Sequence, residues 1–172
     1  MLSYDDLRPY QGSRKLAETR DLKKSESFSV SNKIFLSHRH DDKDWVASVV
    51  AYLSDHGIDV YIDSNDPSAP KKTSVETAKL IQKRISECKK FLVLASPGSI
   101  DSKWIPWELG YADHAKSLKN IVIIPVGPSN NWLSREYFNL YDVALMDNNH
   151  ELSVFKPGAN SNGMKLKHWV NQ

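Results

Sequence analysis

Two stretches of this chain carry side chains that could do chemistry. In Ser102-Lys103-Trp104-Ile105-Pro106-Trp107-Glu108-Leu109-Gly110-Tyr111-Ala112 one carboxylate, Glu108, stands among aromatic and apolar residues. At helical spacing Trp104, Trp107, Glu108, Tyr111, Ala112 and Ala115 share a face, which puts the acid on the stripe that turns inward. An unpaired charge is too costly to bury there, so the carboxylate either has a partner or lines a cavity. In a cavity, the poorly solvated acid and two indole faces suit a flat or cationic ligand. The alternative is a buried structural ion pair with Arg39 as partner, and the pattern leaves both readings open.

The second stretch is His38-Arg39-His40-Asp41-Asp42. His-x-His beside two acids invites a metal, but no further ligand set at metal spacing accompanies it, so no metal is expected. The better reading is a phosphate- or ribose-facing loop. Arg39 would pair a phosphate or Glu108, and Asp41 or Asp42 would cap the following helix. Other chemistries lack their motifs. There is no Gly-x-Gly-x-x-Gly and no Walker sequence,. Ser37, Ser96, Ser99 and Ser102 lack a Gly-x-Ser-x-Gly setting and read as loop and cap residues, Ser102 as the cap of the Glu108 helix. Cys88 lies on an inward helix face and reads as core. A phospho-receiver domain would need acids where the first and third strands end, at Ser37 and Ser96.

The elements that must position these residues follow from the hydrophobic pattern. With 172 residues the chain is long enough for one α/β domain, and a net charge of +2 gives no field that would favour nucleic acid or a membrane,. A single cysteine and a polar start from Met1 to Lys24 fit a soluble, cytoplasmic protein,. Residues 1–31 read as a polar extension with a short charged helix over 13–24, touching the body through Leu16 and Leu22, and a serine-rich linker over 25–31. The domain proper spans 32–172. Five strands are expected, at 32–37, 58–62, 90–95, 121–126 and 142–146. The helices between them start near Asp42, at a Thr73/Glu76 capping box and at Ser102, with Gly57 as a stop and a last helix from Asn162. The polar loop 63–72 and the segment around Asn130, Asn131 and Trp132 are irregular.

Strands alternating with helices imply a three-layer fold around a central parallel five-stranded sheet. In the flavodoxin-like order 2-1-3-4-5 the chain reverses between the first and third strands, and ligands bind outside the strand ends there. That crevice gathers Ser37 and Arg39, Tyr61 and Asp63, and Ser96 through Glu108.

With their order and spacing, KIFLSHRHDDKDW, GIDVYID, FLVLASPGSIDSKWIPWELGYA and NIVIIPV resemble the bacterial Toll/interleukin-1 receptor (TIR) domain family over 32–126. The resemblance implies the same flavodoxin-like fold. It also implies cleavage of NAD+, as substrate and without a further cofactor, at the nicotinamide–ribose bond, giving ADP-ribose or a cyclic isomer. Glu108 then matches the family's catalytic glutamate, Trp104 the tryptophan four residues before it, Arg39 the arginine after the first strand and Tyr61 the aromatic of the second. Trp104 and Tyr61 would stack a substrate ring. Loop 63–72 corresponds to a gating and assembly loop, here with Pro67 and Pro70 in place of the usual glycine. The resemblance further implies self-association into a homo-oligomer, a role in anti-phage defence and a separate effector protein that responds to the product. The alternatives are a non-catalytic TIR adaptor and an enzyme like the nucleoside deoxyribosyltransferases.

Overall fold

In the computed structural model, residues 1–12, 33–66, 68, 70, 72–128, 136–159 and 161–172 are described. The expected strands form as β2 (Ile34–Ser37), β3 (Val60–Tyr61), β4 (Lys90–Ala95), β5 (Ile121–Gly127) and β6 (Asp142–Met146). They lie in the order β3-β2-β4-β5-β6, all parallel, which is the expected flavodoxin-like order 2-1-3-4-5. Their continuous apolar runs reflect burial on both faces. Ile34, Leu36, Leu92, Leu94, Val122 and Ile124 point into one layer, and Phe35, Phe91, Val93, Ile121 and Ile123 into the other.

The sheet is larger than expected and not wholly parallel. β7 (Leu152–Phe155) adds antiparallel to β6, and β8 (Met164–Lys165) antiparallel to β7. β1 (Leu2–Ser3) pairs with the far end of β5, Leu2 opposite Val126, which makes eight strands among the described residues. These three short strands carry no apolar run or alternation long enough to read, so only their tertiary partners reveal them. The last helix accordingly starts later than Asn162, because Met164 and Lys165 are extended against β7.

Helices α1 (Tyr4–Leu7), α2 (Lys43–Asp55) and α5 (Leu166–Val170) cover the first layer, through Leu7, Val46, Val49, Leu53, Leu166 and Trp169. Helices α3 (Val75–Glu87) and α4 (Trp104–Ala115) cover the second, through Ile81, Ile85, Ile105, Leu109 and Ala112. The first residues of the presumed extension are packed into the body. Leu2 and Leu7 are fully buried, Ser3 and Asp6 form a capping box, and the Tyr4 ring stacks on Trp45 at 3.8 Å. The charged helix over 13–24, the serine linker and Asn130 to Trp132 lie outside the described residues.

Several local expectations hold, and others shift. Gly57 ends α2 with φ +74°, a conformation open to glycine,. Ser102 Oγ accepts from the Ile105 amide at 3.2 Å at the start of α4. Cys88 is buried, and burial pushes its thiol up to about 12. The cap of α3 is one residue on from the expected box, with Ser74 and Thr77 bonded reciprocally. Asp42 stands at the N-cap of α2 as expected, but its side chain makes no capping bond and accepts instead from the Ser96 hydroxyl. Loop 63–72 opens with a 3-10 turn, Asp63–Asn65, rather than irregular chain. Among the described residues no helix is long and apolar enough to cross a membrane.

Candidate active site

The site lies where the carboxyl ends of β2 and β4 face α4. Ser37 is the last residue of β2 and is 1% exposed, and Glu108 lies one turn into α4 and is 4% exposed. The Ser37 hydroxyl donates to Glu108 Oε2 at 2.5 Å. Burial raises the Glu108 carboxyl from its usual 4.5 to about 8; the Ser37 bond works against that rise, and the Asp63 charge adds to it,. Among the described residues no cation pairs with Glu108.

The ion-pair alternative therefore does not form. The Arg39 guanidinium donates to Asp41 Oδ2 through Nε at 3.1 Å and Nη2 at 2.7 Å, and its Nη1 donates to the Gly98 carbonyl at 2.9 Å. Arg39 thus ties the loop after β2 to the loop after β4, and among the described residues the hydrogen-bond partner of Glu108 is a neutral hydroxyl.

The buried stripe of α4 is turned relative to the sequence reading. Ile105, Glu108, Leu109 and Ala112 face inward, while Trp107 is 37% exposed and Ala115 is exposed. Trp104 is half-buried against the second layer and meets Trp107 edge-on at 5.3 Å. Trp107 thus turns outward, and of the two indoles Trp104 alone packs against the second layer. The paired apolar residues Ile105 and Leu109 outweigh the larger tryptophans in setting the helix rotation, because they fill the layer over the sheet.

The other expected site residues are placed unevenly. The Asp63 side chain is 17% exposed, with His40 Nε2 at 3.7 Å. Tyr61 is 2% exposed, its ring 5.4 Å from that of Phe35 and its hydroxyl donating to Asp66 at 2.8 Å, so it presents no open face for stacking. Ser96 donates to Asp42 and accepts from the Ser99 amide at 3.0 Å, which commits its hydroxyl to protein.

Two features lie outside the expected site residues. His38, 6% exposed, donates from Nδ1 to the Leu36 carbonyl at 3.1 Å, and burial lowers its pKa, so it is a neutral imidazole with Nε2 as acceptor,. Its position directly after β2 was the available signal. Asp66 at the root of loop 63–72 accepts from Tyr61, from both the amide and the hydroxyl of Ser68, and from Arg84 Nε at 2.8 Å. Burial alone would raise Asp66, but the bonds from Ser68, Arg84 and Tyr61 outweigh it and hold it below the usual carboxylate range. Nothing in the sequence connects Asp66 with a residue eighteen positions on in α3. The substitution Arg84→Met leaves this carboxylate without its cation, and the expected loss is about 3 kcal/mol. A lower Tm with faster proteolytic cleavage inside 63–72 would record it.

The profile of the TIR domain family matches residues 34–151, more than half of the chain. This chain belongs to the TIR domain family. The match begins at β2 and takes in Ser37, Arg39 and Glu108. A protein of Bacillus cereus (strain MSX-D12), the probable 3' cyclic ADP-D-ribose synthase ThsB', is 29% identical to this TIR domain over 81% of this chain and 75% of its own. A putative cyclic ADP-D-ribose synthase of Cytobacillus dafuensis, TIR2, is 29% identical over 53% of this chain, which spans only 26% of that protein. A crystal structure of a prokaryotic SEFIR domain aligns with 68% of this chain and 82% of its own at 14% identity, with a TM-score of 0.48.

Proposed function

We propose that this TIR domain cleaves the nicotinamide–ribose bond of NAD+, giving ADP-ribose or a cyclic ADP-ribose isomer. The observation that carries the reading is Glu108: a carboxyl buried at the sheet's switch point, bonded to a neutral serine and paired with no cation among the described residues. Such a group is poised for a cationic ligand. The names of the two relatives, both cyclic ADP-ribose synthases, support the choice of NAD+.

In this reading the positively charged nicotinamide ring enters the crevice against Trp104, whose indole face attracts cations. The ribose C1'–N bond breaks, the bonding pair leaves with nicotinamide, and the ring departs neutral. Positive charge then develops on the ribose as an oxocarbenium, which ionised Glu108 stabilises. Attack by water gives ADP-ribose, and attack by a group of the same molecule gives a cyclic product. Arg39 holds phosphate, Ser37 orients Glu108, and Asp63 borders the ribose. Tyr61 and Ser96 act from behind the crevice, by fixing Asp66 and Asp42. The product serves as a signal to a separate effector in bacterial anti-phage defence, and the domain works as a homo-oligomer.

The test is chromatography after incubating concentrated protein with NAD+, and separately with a deoxynucleoside and a free base. Nicotinamide with ADP-ribose or its cyclic isomer is expected. Intact NAD+ under all conditions would favour the adaptor alternative, and base exchange with NAD+ untouched the transferase.

A further inference from the structure

The loops that follow β2 and β4 hold each other by two ties running in opposite directions. Arg39 of the first loop donates to the Gly98 carbonyl of the second, and Ser96 of the second donates to Asp42 of the first. Gly98 lies at the centre of this clasp, in the 3-10 turn Pro97–Asp101. A Cβ on Gly98 would lie 2.5 Å from Arg39 Nη1, 3.4 Å from Arg39 Cδ and 3.3 Å from Asp42 Oδ1. The backbone gives no reason for glycine, because the residues with left-handed dihedrals are others, Gly57 among them,. What the position supplies is room for a guanidinium.

We infer that Gly98 is a positioning residue for Arg39, keeping its guanidinium over the crevice mouth where a diphosphate would bind. The inference rests on the reading of this crevice as an NAD+ site. The substitution Gly98→Ala is a narrow probe of it. The colliding group is the tip of a flexible side chain, so the fold accommodates the methyl group by moving Arg39. Alanine also lowers the entropy of the unfolded chain, which offsets small repacking losses. No charge is added or removed.

The experiment is a double-mutant cycle with Gly98→Ala, Arg39→Met and the double variant, read first as the Kd for ADP by calorimetry, which needs no turnover. Each single variant is expected to weaken ADP about tenfold, the scale of one charge-assisted contact. The double variant is expected to be no weaker than Arg39→Met alone, because both changes remove the same interaction. With NAD+, Gly98→Ala raises KM about tenfold with little change in kcat, and discrimination between NAD+ and nicotinamide riboside, which lacks phosphate, falls by the same factor. Tm stays within about 2 °C of wild type. ADP affinity unaffected by Gly98→Ala, losses that multiply in the double variant, or wild-type protein that does not bind ADP would each overturn the inference. ADP bound through the clasp by a protein that leaves NAD+ intact would instead overturn the proposed reaction and keep the clasp.

Discussion

Cleavage of NAD+ by this domain is expected to accelerate with pH, with kcat/KM rising close to tenfold per unit below about pH 8 and level above it. This quantity reports the free enzyme, in which burial holds Glu108 protonated up to about 8,. Only the ionised form stabilises an oxocarbenium, so the active fraction grows until the group has titrated. Burial lowers the pKa of His38, away from the titration of Glu108. The plateau of kcat should begin at lower pH. A nicotinamide cation about 4 Å from the carboxylate contributes about 4 kcal/mol at an effective dielectric of about 20. That is comparable with the roughly 5 kcal/mol represented by the rise of Glu108 from 4.5 to about 8,. If NAD+ is the substrate, its binding is expected to expel the proton. Ser37→Ala removes a hydrogen bond that favours the carboxylate and should move the kcat/KM midpoint further alkaline. Rates measured from pH 5 to 9.5 decide this; a profile flat across pH 6 to 9 would contradict it.

Glu108→Gln should make the protein more stable in alkali while removing its activity. Below about pH 4.5 the carboxyl is protonated in both folded and unfolded chains and carries no penalty. Between 4.5 and about 8 the unfolded chain releases the proton and the folded one keeps it, so wild-type stability falls as pH rises,. Above about 8 the full burden, on the order of 5 kcal/mol, is present. Glutamine keeps the shape and can accept from Ser37 without ever ionising. The Tm difference between variant and wild type should thus be near zero at pH 4.5 and about 10 °C at pH 8.5, given about 2–4 °C per kcal/mol for a domain of this size. A difference independent of pH would show that Glu108 is not a strained acid. Catalytic groups are often placed at the expense of stability in this way.

Much of this arrangement was legible in the residues. The runs IFLS, KFLVLA and IVIIPV read as central parallel strands and are buried on both faces, and the flavodoxin-like order then located the crevice. Glu108 showed itself as an acid on an inward helix face. Less legible was what surrounds it. The rotation of α4 depended on Ile105 and Leu109 filling a layer, which a count of aromatics could not reveal. Arg39 was expected to reach Glu108 or a phosphate, but its distance from Gly98 is a property of two loops far apart in sequence. The Asp66–Arg84 lock and the two-residue strand β1 exist only through long-range partners and leave no periodic trace.

The central claim is that the carboxylate of Glu108 drives glycosidic cleavage of NAD+. Its most direct test is nicotinamide released from NAD+ at pH 8.5 by wild-type protein and by Glu108→Gln at equal concentration, with folding of both verified by thermal melts. The account predicts steady release by wild type and a rate at least about 1000-fold lower for the variant, on the order of 4 kcal/mol of transition-state stabilisation. A folded variant that releases nicotinamide as fast as wild type would contradict it.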